Sequence, residues 1–339
     1  MRRIPMIFSC VLMAIGMSFG LSATQTSADS VEPTAQSDSN PLADRPLYVD
    51  PNSPARRALA DDPASASITG PLASTPQARW FTESTPTDAV AGAVSEYVGG
   101  AAAAGAMPVL VAYAIPLRDC GGFSSGGLPN TAAYAAWIRQ VKAGIGGRPA
   151  TVIVEPDALP AADCTGPGGR TARFAAMADA VSQLSSDPST VVYIDAGHSR
   201  WRSPADLADR LRQVGVTQAR GFSLNVSNFY STSEEIAYGE GVSSLLGGAH
   251  YVLDTSRNGA GPPPDGTLSW CNPPGRMLGS APTTKTAGAH ADAYLWIKNP
   301  GQSDGECNRG EPTSGVWFSS YAADLVQRSG WKAAATPPS

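Results

Sequence analysis

Charge of either sign is scarce in this chain. Asp, Glu, Lys and Arg make up 16% of its 339 residues, and the formal net charge is −5. That leaves no basic face of the kind a phosphate backbone requires, so no nucleic-acid partner is expected. Histidine is scarcer still, at three residues. A multi-histidine metal centre cannot be assembled from so few, and no Cys-x-x-Cys pair offers a zinc site, so no metal and no cofactor are expected. No Gly-x-Ser-x-Gly stands at a strand-to-helix turn, which sets aside a serine-hydrolase elbow. A tight glycine turn for a dinucleotide is also missing. The stretch PLRDCGGFSSGGLPN, from Pro116 to Asn130, is too long for one and carries a cysteine. Its glycines suit a flexible lid, and its serines can bind a substrate hydroxyl. Beyond the N-terminal run no segment is long and apolar enough to span a bilayer, and no stable membrane partner is expected.

The N-terminus opens Met1, Arg2, Arg3, runs mostly apolar from Ile4 to Leu21, and becomes small and polar. This is the pattern of a secretory signal peptide, residues 1–28, cleaved near Ala28. Residues 29–44 read as a disordered leader, 45–334 as a single domain and 335–339 as a tail, giving a secreted monomer. Cys10 leaves with the signal, and the four remaining cysteines imply disulfides in an exported protein. Cys120 and Cys164 follow successive strand candidates, whereas Cys271 and Cys307 flank a single later one. The expected pairs are therefore Cys120 with Cys164 and Cys271 with Cys307. Chain entropy makes each worth about 3 to 4 kcal/mol.

Apolar, β-prone runs alternate with helical patterns, the signature of βαβ units and a parallel sheet. The strand candidates are 47–50, 108–115, 151–155, 191–195, 221–226, 251–254 and 294–298. Helices are expected over 86–105, 131–145, 171–184, 204–214, 233–246 and 316–328, with starts at Thr85, Asn130 and Ser203 and stops at Gly105, Gly144, Gly215 and Gly330. The Ala- and Gly-rich run in the first of these suits close packing. Periodicity alone does not separate a barrel from an open doubly wound sheet.

Four of these runs end at or just before an aspartate: Asp119, Asp157, Asp195 and Asp304. An aspartate after a strand is ordinarily a turn cap. The recurrence points further, because parallel strands of one barrel gather their C-terminal ends on one face, where carboxylates can do acid and base work. Asp157, in VIVEPDALP, sits among Pro156, Leu159 and Pro160, an apolar setting that raises a carboxyl's pKa and suits a general acid. Asp119 on the neighbouring strand end raises it further and can hold a water, with Arg118 salt-bridging one of the two. Asp304, in GQSDGEC, is a candidate base or water-orienting group.

Trp80, Trp201 and Trp270 fall in expected loops, where an indole face suits the apolar face of a sugar ring. Trp137, Trp296 and Trp317 fall within helices or strands and are read as core. Tyr113 either points into the mouth of the sheet or packs, and His198 reads as a hydrogen-bond donor to substrate or a neighbouring loop.

YAIPLRDC, VIVEPDALP, YIDAGHSRW, NVSNFY, SWCNPPGRMLG and LWIKNPGQSDGEC, with both cysteine pairs, resemble the successive motifs of glycoside hydrolase family 6, the cellulases, over roughly residues 45–332. The resemblance to secreted actinobacterial endoglucanases implies a distorted seven-stranded parallel (β/α) barrel and inverting hydrolysis of β-1,4-glucan. It places Asp157 at the proton donor, Asp119 at the aspartate supporting it and the catalytic water, and Asp304 at the proposed base. An inverting pair leaves room for water when its carboxyls stand roughly 6.5 to 9.5 Å apart. Tyr113 and Ser125 resemble residues beside the distorted sugar, and Trp80, His198, Trp201, Asn228, Trp270 and Lys298 resemble glucose-binding positions.

Two departures matter. Gln302 stands where the family commonly has a glutamate, which leaves a glucan-binding barrel with weak or lost catalysis as the alternative. Only Arg202 and Ser203 separate Trp201 from Pro204, where chain-end cellulases tend to carry another Trp. The segments 254–270 and 270–298 are also short, so an open cleft and internal cleavage are expected. No carbohydrate-binding module is expected after the last helix.

Overall fold

A computed structural model describes residues 39–331. The expected signal peptide, its cleavage near Ala28, residues 29–38 of the leader and the tail at 335–339 lie outside the described residues. The folded part begins earlier than the expected boundary at 45. Leu42 is fully buried in the inner core, and the Asn40 side chain donates to the Asp292 carbonyl at 2.6 Å.

Seven strands form one sheet: β1 (Arg79–Thr82), β2 (Val109–Tyr113), β3 (Ala150–Val154), β4 (Thr190–Asp195), β5 (Gly221–Leu224), β6 (His250–Asp254) and β7 (Ala291–Leu295). Every neighbouring pair is parallel and the spatial order is the chain order. The expected number of strands is met with one exchange. Residues 47–50 form no strand of this sheet; Leu47 makes an isolated bridge to Met107, ahead of β2. The first strand is instead RWFT, whose four residues carry too short a pattern to stand out. Trp80 is therefore a strand residue and not a loop residue.

Laid flat, seven strands at about 4.8 Å spacing would hold the two edges roughly 29 Å apart. The Ala78 N–H nevertheless donates to the Trp296 carbonyl at 3.0 Å, and the Trp80 indole donates to the Ile297 carbonyl at 2.8 Å. The sheet is thus curled into a half-barrel whose edges approach each other, and β7 and β1 share no ladder. Side chains alternate as a sheet buried on both faces demands. Val109, Val111, Tyr113, Ile153 and Tyr193 fill the interior, while Leu110, Ala112, Val152, Val154, Val192 and Ile194 pack outward under the helices.

The helices are α1 (Pro54–Asp61), α2 (Ala66–Ala73), α3 (Thr87–Ala103), α4 (Thr131–Ile145), α5 (Gly166–Ser185), α6 (Pro204–Gln213), α7 (Thr232–Leu245) and α8 (Ser319–Ser329). Asn130 and Ser203 cap α4 and α6 as expected, accepting from Ala133 and Asp206 N–H. The helix α3 begins at Thr87 with no side-chain cap, so Thr85 does not serve. The pair α1 and α2 was not foreseen; with α8 and Trp296 it forms a separate apolar cluster. Trp317 lies ahead of α8, half-buried against that cluster. Both disulfides, Cys120–Cys164 and Cys271–Cys307, are those expected.

Gly144 does not stop α4, which runs on to a left-handed cap at Gly146. It is the point where α4 meets α3: a Cβ there would stand 2.6 Å from the Ala91 carbonyl oxygen and 2.7 Å from Val94 Cβ. Gly92, in the same α3, has open space around its Cβ position. Gly144→Leu should cost about 1–3 kcal/mol by overpacking, while Gly92→Ala should gain about 0.5–1 kcal/mol. Thermal melting followed by circular dichroism checks both; equal effects at the two sites would refute the close helix contact.

Candidate active site

Parallel strands end with N–H groups that their own ladder cannot satisfy, and here acidic side chains supply the acceptors. Glu155, just past β3, takes the Ala114 and Ile115 N–H groups beyond β2 at 3.0 and 3.2 Å. Asp195, the last residue of β4, takes the Asp157 and Gly197 N–H groups at 2.8 and 3.1 Å and the Ser223 hydroxyl at 3.1 Å. Asp254, closing β6, takes Ser227, Ser256 and Lys298 N–H. All three are buried. Of the four aspartates that recur after strands in the sequence, Asp195 is thus a brace and not a free carboxylate. Glu155 and Asp254 were missed because glutamate before a proline and aspartate before a threonine look like ordinary turn residues.

Asp157 stands on the turn Glu155–Pro156–Asp157, where Glu155 (φ 52°) and Asp157 (φ 69°) both adopt left-handed backbone. That strained turn is held by Glu155's own carboxylate on one side and Asp195's on the other. Burial, then the charge of Asp119, push the Asp157 carboxyl up to about 7, with Lys298 pulling the other way. The residue keeps a partial opening to solvent, so the proton is both retained and reachable.

Asp119 lies in a short turn after β2, and its Oδ2 accepts the Ser124 N–H at 2.7 Å. Its charge bears on Asp157 more than any other, as adjacency of β2 and β3 led us to expect. Arg118 binds neither aspartate. It pairs with Glu83 and donates to the Tyr113 and Ser124 carbonyls, with its guanidinium 4.4 Å from the Tyr113 ring centroid. Glu83 also accepts the Gly127 N–H at 2.9 Å. The glycine-rich segment that carries Ser125 is therefore tied down at both ends. The Phe123 ring lies 6.1 Å from that of Trp270, and the Ser124 and Ser314 hydroxyls are 2.7 Å apart.

Asp304 is buried between two cations. Arg257 Nη1 reaches Oδ2 at 2.8 Å, Lys298 Nζ reaches Oδ1 at 3.1 Å, and the Asn272 N–H adds a bond at 3.0 Å. Burial alone would raise this carboxyl; Arg257 and Lys298 reverse that and hold it below the usual range. Arg257 is fully buried and was not singled out in the sequence, where TSRN follows a strand like any loop. Lys298, expected at a sugar, spends donors on Asp304 and the Ser303 carbonyl.

The remaining residues spread along the same end of the sheet. Tyr113 closes β2, edge-on to Trp80 at 5.1 Å. Its hydroxyl is held well above the usual tyrosine range by burial and next by Asp157. His198 stacks on Tyr230 at 4.4 Å and lies 5.4 Å from Trp201; burial brings it down to about 4, so at neutral pH it is uncharged. Asn228 donates to the Val226 carbonyl. Trp270 is 43% exposed and Ser125 is exposed, leaving both free to meet a ligand. Gln302 donates to the Gly315 carbonyl. Among the described residues no cluster of three or more metal-ligating side chains gathers, and no helix is long and apolar enough to cross a membrane.

Comparison with known proteins gives a consistent picture. The family described as glycosyl hydrolases family 6 matches residues 42–329. Endoglucanase A of Thermobispora bispora is 42% identical over 313 residues, covering 90% of this chain and 66% of its own length. Endoglucanase 1 of Streptomyces halstedii is 42% identical over 291 residues, covering 83% of this chain and 88% of its own. The chain therefore spans just under two thirds of the first of these. The solved endoglucanase Cel6 of Mycobacterium tuberculosis, in complex with methyl-cellobiosyl-4-deoxy-4-thio-β-D-cellobioside, is 56% identical with a TM-score of 0.85, covering 86% of this chain and all of its own.

Three buried carboxyls, Glu155, Asp157 and Glu235, are pushed up to about 7, each by burial first. Each binds its proton more tightly folded than unfolded. The stability this adds is present in full below the ordinary carboxylate value, about 4, and is lost as pH rises through about 7. Asp304, depressed, runs the other way and loses its contribution only as pH falls through its folded value. The melting temperature should therefore fall as pH rises between about 4.5 and 7.5, and Glu155→Gln should flatten that fall. A slope unchanged by the substitution would mean that Glu155 titrates normally.

Proposed function

The chain belongs to family 6 of the glycosyl hydrolases, and from that premise we propose that it is a secreted endo-β-1,4-glucanase that hydrolyses internal bonds of cellulose-like glucans with inversion. The observation that carries this reading is the state of Asp157. A carboxyl held near 7, braced through its own N–H and partly open to solvent, is a proton donor suited to neutral conditions.

In this reading Asp157 gives its proton to the glycosidic oxygen as that oxygen leaves the anomeric carbon. Water attacks the same carbon from the opposite face and releases its proton into the cleft beside Asp119, whose carboxylate, fixed by Ser124 N–H, orients that water. Asp304 is a weak proton acceptor, since Arg257 and Lys298 stabilise its charged form. Its role is to hold Arg257 and Lys298 in place, which fixes Lys298 for the sugar it is proposed to bind. Tyr113 and Ser125 lie beside the reacting sugar. Trp80, His198, Trp201, Asn228, Trp270 and Lys298 bind the flanking ones, the indoles by stacking and the others by hydrogen bonds. No metal or cofactor enters these steps.

The short segments after β6 and around Trp270 support an open cleft and hence internal cleavage. An N-terminal signal sequence and two disulfides support export. Fast viscosity loss of carboxymethylcellulose with few new reducing ends is the expected result, and Asp157→Ala should lower the rate at least a hundredfold while retaining oligosaccharide binding. No action on any β-glucan would leave the binding-only alternative. Proton NMR should show the α-anomer as first product; the β-anomer would overturn inversion.

A further inference from the structure

Beyond Trp80 the protein holds a second polar space. Between the turn leading into α1, the entry to β1 and the segment after β7 lies a cavity of about 250 Å³. Trp80 forms one wall, and Asp50, Asn52, Arg57, Gln77, Arg79 and Gln302 supply polar groups. Pockets for drug-sized ligands begin at about 300 Å³, so this one is scaled to roughly one sugar ring.

Its chemistry is that of a hydroxyl-rich ligand. Asp50 Oδ1 accepts the Asn52 N–H at 2.8 Å, while Oδ2 faces Arg79 Nη1 at 3.9 Å, too far for a direct hydrogen bond. The Arg79 guanidinium is kept in place 5.5 Å from the Phe81 and Tyr97 ring centroids. Gln77 donates to the Leu72 carbonyl at 2.7 Å, which fixes its amide beside the cavity. Arg57 and Asn52 stand exposed at the rim. A carboxylate and a guanidinium separated by about the span of one hydroxyl, beside an indole, suit a pyranose ring.

The position matters as much as the chemistry. Asp157 is the charge that bears most on Tyr113, Tyr113 meets Trp80 edge-on at 5.1 Å, and Trp80 borders the cavity. Trp80 thus touches both Tyr113 and the cavity, beside the seam between β7 and β1. We propose that this cavity is an additional glucosyl-binding subsite, which takes the sugar next beyond the one at Trp80, its hydroxyls donating to the Asp50 carboxylate and accepting from Arg57 and Arg79. A chain bound there runs on over the exposed rim, so the subsite serves cleavage inside a polymer and not removal of a short end unit. The proposal rests on the glucanase reading and deepens it.

The test is a binding ladder by calorimetry on Asp157→Ala protein, with cellotetraose and cellohexaose, so that no turnover is required. Cellohexaose should bind more tightly, and adding Arg57→Ala or Asp50→Asn should cut the hexaose-to-tetraose affinity ratio about tenfold. Arg57 is exposed, so its substitution leaves the fold intact even if Asp50→Asn does not. A ratio unchanged by both substitutions, an equal loss for both sugars, or binding of neither would overturn the subsite. Failure of the glucanase reading shows separately, as absence of cellulose hydrolysis by the unsubstituted protein.

Discussion

Everything at the working end of this fold depends on buried carboxylates that accept N–H groups from the loop of a neighbouring strand. A parallel sheet leaves such donors wherever its strands stop, and burying them unpaired costs about 1–3 kcal/mol each. Glu155, Asp195 and Asp254 meet that demand at three of the strand ends. In doing so they fix the loops bearing Asp119, Asp157 and Lys298 relative to one another. The brace also explains how a turn with two non-glycine residues in left-handed backbone persists at Asp157, since each side is bonded to a rigid strand end.

The same residue type is given opposite properties within this one cleft. Asp157 is surrounded by protein with another carboxylate nearby and is pushed toward neutrality. Asp304 is more enclosed still but sits against Arg257 and Lys298, which favour its charged form. Desolvation is common to both; what differs is the sign of the nearest charge. Environment therefore separates a proton donor from a fixed anion with no change of chemistry in the side chain itself.

Much of this was legible in the sequence. Six strands and the parallel βα alternation followed from apolar runs of four to eight residues, and both disulfides followed from the order of strands and cysteines. The pairing of Asp119 with Asp157 was visible as an aspartate after each of two successive runs. What stayed hidden is long-range. Arg118 turns to Glu83 because β1 lies beside β2, and β1 itself was unseen because RWFT is short and only Phe81 is buried. Arg257 and Glu155 act through partners 47 and about 40 residues away, a distance at which a single chain carries no signal. Gly144 read as a helix stop since glycine usually is one; its reason lies in the helix opposite.

The seam between β7 and β1 bears on how the fold is gained. Every ladder joins strands consecutive in the chain, so each closes a loop of modest length before its contacts reward it. The seam brings together residues as far apart as Trp80 and Ile297, separated by 217 positions. Joining such distant points costs more entropy than any single ladder, although the cost grows only with the logarithm of length. With no ladder there, that cost is met by a backbone hydrogen bond, an indole, the Asn299 side chain on the Ala78 carbonyl, and burial of Trp296. The two edges of the curled sheet are thus tied by side chains more than by backbone, across the longest stretch of chain that separates any two of its strands.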